Sequence, residues 1–217
     1  MKKIVIDKIV PLLKEEVKQF VLPAVTEVSR KSEPFLVLIS CLLSLRTRDA
    51  VTEKASDELF KLAKTPKKMQ KLSTRTIAKV IYPVSFYKTK TRRIKEICKT
   101  LIEKYDSRIP DEIDELLKLK GVGRKTANIV ITYGFNKDGI AVDTHVHRIC
   151  NRLGLVETKT PEQTEFELRR KLAHKYWRDF NDVLVTHGQN VCLPISPLCS
   201  KCSISSYCYR VGITRSR

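Results

Sequence analysis

Four cysteines near the end of the chain, Cys192, Cys199, Cys202 and Cys208, stand at the spacing C-x6-C-x2-C-x5-C. The 17 residues from first to last are too few to build an apolar core, so this loop needs a cross-link to hold any shape. A metal centre held by four thiolates supplies one. Tetrahedral zinc and a [4Fe–4S] cluster both accept such a set. The paired C-x2-C units of a zinc ribbon are absent, as is the compact run of a ferredoxin, so spacing alone leaves zinc and iron–sulfur open. The other three cysteines, Cys41, Cys98 and Cys150, fall on apolar helical faces and read as small buried hydrophobes.

The chain has 217 residues, enough for one sizeable core or two small ones. Forty-two basic against 24 acidic residues give a net charge of +18. That excess suits a polyanionic partner, although a merely solubilising surface has the same total. Lys2 and Lys3 resemble the start of a secretory signal, but Asp7 and Lys8 interrupt the apolar run. The longest apolar stretch, Phe35 to Leu45, is shorter than the roughly 20 residues a membrane span needs and contains two serines. The expectation is an intracellular protein with no membrane role, in a compartment where disulfides are rare.

Helical periodicity dominates and no period-2 strand stands out, which predicts an all-α chain of about ten helices. An amphipathic helix is expected over Ile6–Val21, and Pro34 opens the most apolar one, Phe35–Leu43. Thr47 or Asp49 is the expected cap of the next. Thr65-Pro66 and Ser73 start two short helices, and Lys88–Tyr105 forms a longer one. Pro110 is expected to begin the helix that follows, while Asn136-Lys137-Asp138-Gly139 is a turn. Asp143-Thr144 caps His145–Leu153, Thr160 to Gln163 resembles a capping box, and Lys175–Gln189 leads into the cysteines. The pattern divides near residues 136–140, with no repeat and no low-complexity linker.

Between two of these helices lies Leu-Lys-Gly-Val-Gly-Arg-Lys-Thr-Ala-Asn, residues 119–128. Gly121-Val122-Gly123 reads as a tight hairpin, since glycine reaches positive φ and allows close approach to the backbone. Its amides and the following helix N-terminus make a nest for a phosphate oxygen, with Arg124 and Lys125 adding charge. Lys125 is a contact for phosphate or, with its amine neutralised by the helix dipole, a like charge and desolvation, a nucleophile. Asp143 is a helix cap and can be a catalytic carboxylate as well. The eight residues 135–142 can stretch roughly 26 Å, far enough to bring it back toward the lysine.

The hairpin segment, Ala-Val-Asp-Thr-His-Val-His-Arg (141–148) and the four-cysteine tail together resemble the endonuclease III family of helix-hairpin-helix DNA glycosylases. The resemblance covers roughly residues 30–208. It implies a two-lobed fold: a six-helix barrel with the hairpin motif over residues 24–136, and a smaller iron–sulfur lobe from residues 1–23 and 137–217, its cluster loop at 192–208. It implies a [4Fe–4S] cluster on the four cysteines, with Lys125 and Asp143 as the catalytic pair. The expected activity is that of a bifunctional DNA glycosylase/AP lyase, acting as a monomer on double-stranded DNA with damaged bases, oxidised pyrimidines above all, or abasic sites.

DNA contacts are expected at Gly121, Val122, Gly123, Arg124 and Lys201. Arg46 and Phe86, in loops Ser44–Asp49 and Ser85–Lys88, would fill the gap left by a flipped base. Three positions depart from the family pattern: Arg46 at a usual glutamine, Ser85 at a usual glycine, Lys120 at a usual proline. They leave the catalytic pair intact and put the opposing-base preference in question. His145 reads as structural support. The rival functions are a monofunctional mismatch glycosylase, which generally lacks a lysine at the position of Lys125, and a non-catalytic DNA-binding module whose cluster senses redox state.

Overall fold

A computed structural model describes residues 5–20 and 33–217, and among these the chain is helical with no β-strand. The first helix ends at Val17 with Lys18 as its C-cap, short of the expected Val21, which itself lies outside the described residues. By internal contacts the chain forms two compact units: Ala24–Gly139, and Met1–Pro23 together with Ile140–Arg217.

The first unit is wrapped around α2 (Pro34–Ser44), whose sequence FLVLISCLL is buried at every position but Leu36. A helix apolar all round belongs at a centre, and proline at its first turn sets the start. Around it stand α3 (Asp49–Leu62), α4 (Pro66–Lys71), α5 (Thr74–Val80), α6 (Tyr87–Lys104), α7 (Ile113–Leu117) and α8 (Arg124–Ile129). Thr65 and Ser73 accept N–H bonds from Lys68 and Thr76, the N-caps expected of them. Other expectations need correcting. Neither Thr47 nor Asp49 caps α3; Arg48 is the cap residue and makes no side-chain bond, while the Thr47 hydroxyl turns to another loop. Pro110 precedes the start of α7 by three residues. After Ile129 the helix widens into a π-helical turn, Val130–Gly134.

The second unit packs α1 (Ile6–Val17) with α9 (Thr144–Leu153), α10 (Pro161–Lys171) and α11 (His174–Asn190). Ile9, Val10, Leu13 and Val17 enter one core with Val146, Ile149, Leu168, Trp177, Phe180 and Ile204. Thr160 caps α10, but the Gln163 side chain returns to the Lys159 N–H rather than to Thr160, one residue short of a capping box. No described helix is long and apolar enough to cross a membrane.

Candidate functional site

The hairpin is built by burying Leu116, Leu119 and Val122 and closing the turn with a bond from the Val122 N–H to Leu119 O at 3.0 Å. Val122 therefore presents neither its side chain nor a spare amide to a phosphate. Gly121 adopts φ +85°, which a side chain resists. Gly123 has φ −102° and serves as the cap residue of α8, a conformation open to any residue, so only one of the two glycines is needed for its backbone angles. A Cβ on Gly121 would stand 2.0 Å from Arg93 Nη1, the movable end of a flexible side chain. Gly121→Ala is therefore expected to cost about 1 kcal/mol, mostly backbone, and to lower Tm by about 2–4 °C in a thermal melt.

Arg124 and Lys125 are the first two residues of α8, both half-buried. Lys125 is near enough to Cys41 of α2 for its charge to act on the thiol. Burial pushes the Cys41 thiol up to about 12, and the Lys125 charge pulls in the opposite sense. Lys120 pairs with Glu96 of α6 at 3.2 Å, an exposed contact of little energetic weight.

In the same unit, Arg46 (φ 55°) and Phe86 (φ 56°) are both exposed and both left-handed. The Arg46 guanidinium carbon stands 6.0 Å from the Phe86 ring centre. The Ser85 N–H donates to Thr47 Oγ1 at 3.2 Å, so the two loops are joined.

Asp143 belongs to the other unit and caps α9. Its Oδ1 accepts both the His145 N–H (2.8 Å) and the Val146 N–H (3.0 Å). Behind it, Arg148 Nη2 donates to Gly188 O (3.0 Å) and Cys192 O (2.8 Å) and lies 3.2 Å from His145 Nδ1. Burial lowers the pKa of that guanidinium, with the charges of Cys192 and Asp143 acting against the shift. A Cβ on Gly188 would meet His145 Nδ1 at 2.7 Å, so the glycine is what lets α11 approach α9 here. His145 thus has the supporting place expected of it.

Cys192, Cys199, Cys202 and Cys208 line one cavity with Arg152, His187, Ile149 and Ile204. N–H groups point at three of the sulfurs: Arg152 Nη1 at Cys192 (3.5 Å), the Arg210 amide at Cys208 (3.4 Å) and His187 Nε2 at Cys202 (3.9 Å). Burial raises the pKa of Cys192, but the hydrogen bonds from His187 and Arg152 outweigh it and the net shift is downward. Among the described residues no three His, Cys, Asp or Glu side chains converge as the ligands of a single ion. Lys201, between two of the cysteines, is exposed.

Two residues unmarked in the sequence support this cavity. Glu16 of α1 hydrogen-bonds His187 Nδ1 and accepts the Ser203 N–H at 2.7 Å, fastening the N-terminal helix to the cysteine loop. Burial works against the His187 imidazolium, but its bonds to Cys192, Cys202 and Glu16 raise the pKa to about 11. His187 lies one helical turn and a little more before Cys192, the one signal that could have marked it. Thus Gly121 to Lys125, Arg46 and Phe86 belong to one unit, and Asp143, Lys201 and the four cysteines to the other.

Residues 39–174 match the family described as HhH-GPD superfamily base excision DNA repair protein. The chain is 49% identical to endonuclease III of Thermotoga maritima over 82% of its own length and 84% of that protein's. It is 42% identical to the chloroplastic endonuclease III homolog 1 of Arabidopsis thaliana, of which it spans 48%. Among solved structures, a trapped endonuclease III–DNA covalent intermediate superposes with a TM-score of 0.81 and 31% identity, over 96% of this chain and 97% of that one.

Proposed function

The chain belongs to the HhH-GPD superfamily of base excision DNA repair proteins, and on that footing we propose that it is a bifunctional DNA glycosylase and AP lyase acting on oxidised pyrimidines in duplex DNA. The observation that carries this reading is Lys125: an amine on the first turn of the helix after the hairpin, in a chain similar to one caught as a covalent DNA adduct.

The damaged nucleotide is flipped from the stack, at a cost of a few kcal/mol that is least for a lesion. Lys125 Nζ, as the free base, attacks C1′ of the deoxyribose while the glycosidic bond breaks and the base departs with its electron pair, later taking up a proton. The sugar ring opens to an iminium on Nζ. Loss of a proton from C2′ then expels the 3′ phosphate, and water releases the lysine. Asp143, its Oδ1 held by two backbone N–H groups, would place a fixed negative charge where the sugar becomes positive and would assist proton transfer. Asparagine keeps the cap but not the charge. Asp143→Asn should leave the melting temperature nearly unchanged while slowing base excision about a hundredfold or more in single-turnover assays.

The four cysteines would hold a [4Fe–4S] cluster, supported by the shared cavity and the N–H groups aimed at its sulfurs. Such a centre would cross-link residues 192–208 and so present Lys201 and its neighbours to phosphate. A substrate in genomic DNA fits a protein of the cell interior. The test of the reading is borohydride reduction of the protein mixed with abasic duplex DNA. A covalent adduct is expected, and its absence removes the lyase assignment; incision of duplexes with single lesions then ranks the substrates, oxidised pyrimidines first.

A further inference from the structure

Lys90 stands one turn into α6 and is only 6% exposed, an unusual place for a lysine. Its ammonium has three N–H donors and uses each: on Leu43 O at 2.8 Å, Leu45 O at 2.6 Å and Thr47 Oγ1 at 3.1 Å. The first two acceptors lie at the C-terminus of α2, where helix carbonyls lack intrahelical partners and favour a cation. All three are neutral, so the charge is held by dipoles. Burial accordingly pulls its pKa down to about 8.

The third acceptor is a junction, because Thr47 Oγ1 also receives the Ser85 N–H. Arg46 lies between Leu45 and Thr47, both gripped by Lys90, and Phe86 follows Ser85. One buried cation thus fastens the end of the central helix, the loop carrying Arg46 and the loop carrying Phe86. Those two side chains also sit in left-handed conformations that local preference would not choose.

We infer that Lys90 is a positioning residue that sets the geometry of Arg46 and Phe86 for insertion at a damaged site, without itself touching DNA. The inference rests on the reading above, in which these two loops fill the gap left by a flipped nucleotide. If so, the loops contribute to binding where a gap exists and little elsewhere. Phosphate contacts govern affinity for intact duplex and are indifferent to Lys90.

The measurement is the ratio of affinities for a duplex carrying a tetrahydrofuran abasic analogue and the same duplex undamaged. Lys90→Met keeps a long apolar stem and removes the donors. Thr47→Val keeps both carbonyl bonds and removes the hydroxyl that Lys90 and Ser85 share. Each is expected to lower the ratio about tenfold, as small misplacements of positioned groups do, with affinity for undamaged duplex unchanged. The double variant should be no worse than Lys90→Met alone, since both act through one junction. If Lys90→Met does not fold, Thr47→Val decides alone. A ratio within twofold of the parent's in either folded variant, or a parallel fall in both affinities, overturns the inference. A parent protein that shows no preference for the abasic analogue overturns the functional reading and this inference with it.

Discussion

Lys125→Gln is expected to yield a folded protein that still recognises abasic DNA and gives no borohydride-trapped adduct. An amide nitrogen cannot form the iminium, so strand cleavage should vanish and base excision should fall roughly a thousandfold or more. The substitution is gentle on the fold because glutamine has a helix propensity close to that of lysine. The neighbouring Cys41 thiol, pushed by burial to about 12, carries no charge at neutral pH that the missing ammonium would strand. The change should therefore register in trapping and single-turnover rates and hardly at all in a thermal melt. A persistent adduct in this variant would mean that another amine attacks the sugar.

The second large effect belongs to the cysteine loop. Cys192, Cys202 and Cys208 are not appended to the second unit; they pack against its apolar core beside Ile204 and Tyr207. If the four cysteines hold the proposed cluster, Cys202→Ser removes a ligand beneath His187 and should strip visible absorbance from the purified protein. Losing a structural metal centre ranks among the changes that cost about 4 kcal/mol or more, which at about 4–8 °C per kcal/mol for a unit of about 100 residues lowers its Tm by about 20 °C. The other unit, with its separate core around α2, should retain its own transition in calorimetry. Binding to duplex should weaken as Lys201 loses its fixed place. A colourless parent protein containing zinc, or a Cys202→Ser variant with the parent's melting curve, would count against the cluster.

What the sequence discloses here follows how local each feature is. The caps at Thr65, Ser73, Asp143 and Thr160 depend on bonds within three residues, and they are where the residue types say they should be. The family and its helical fold were legible for a related reason: the hairpin, the Asp143 segment and the cysteine tail are short contiguous patterns. Errors arise where tertiary contacts decide. Thr47 has the chemistry of a cap, yet its hydroxyl is claimed by Lys90 and by Ser85, 38 residues away. Lys90 looks like any member of a basic helix until Leu43 and Leu45 are folded against it. Glu16 is 171 positions from His187, and the apolar stripe of α1 would suit many partners. Val122 shows the opposite failure, a hairpin residue offered to DNA by its neighbourhood and withdrawn into the core by its side chain.

The left-handed backbone at Arg46 and Phe86 has a consequence for anyone improving this protein's endurance. Each of those angles costs about 1 kcal/mol that glycine would not incur, so selection for heat resistance alone rewards erasing both side chains. On the proposed reading of Arg46 and Phe86, the hardened descendants would survive the oven and grope along a helix whose injuries they could no longer feel.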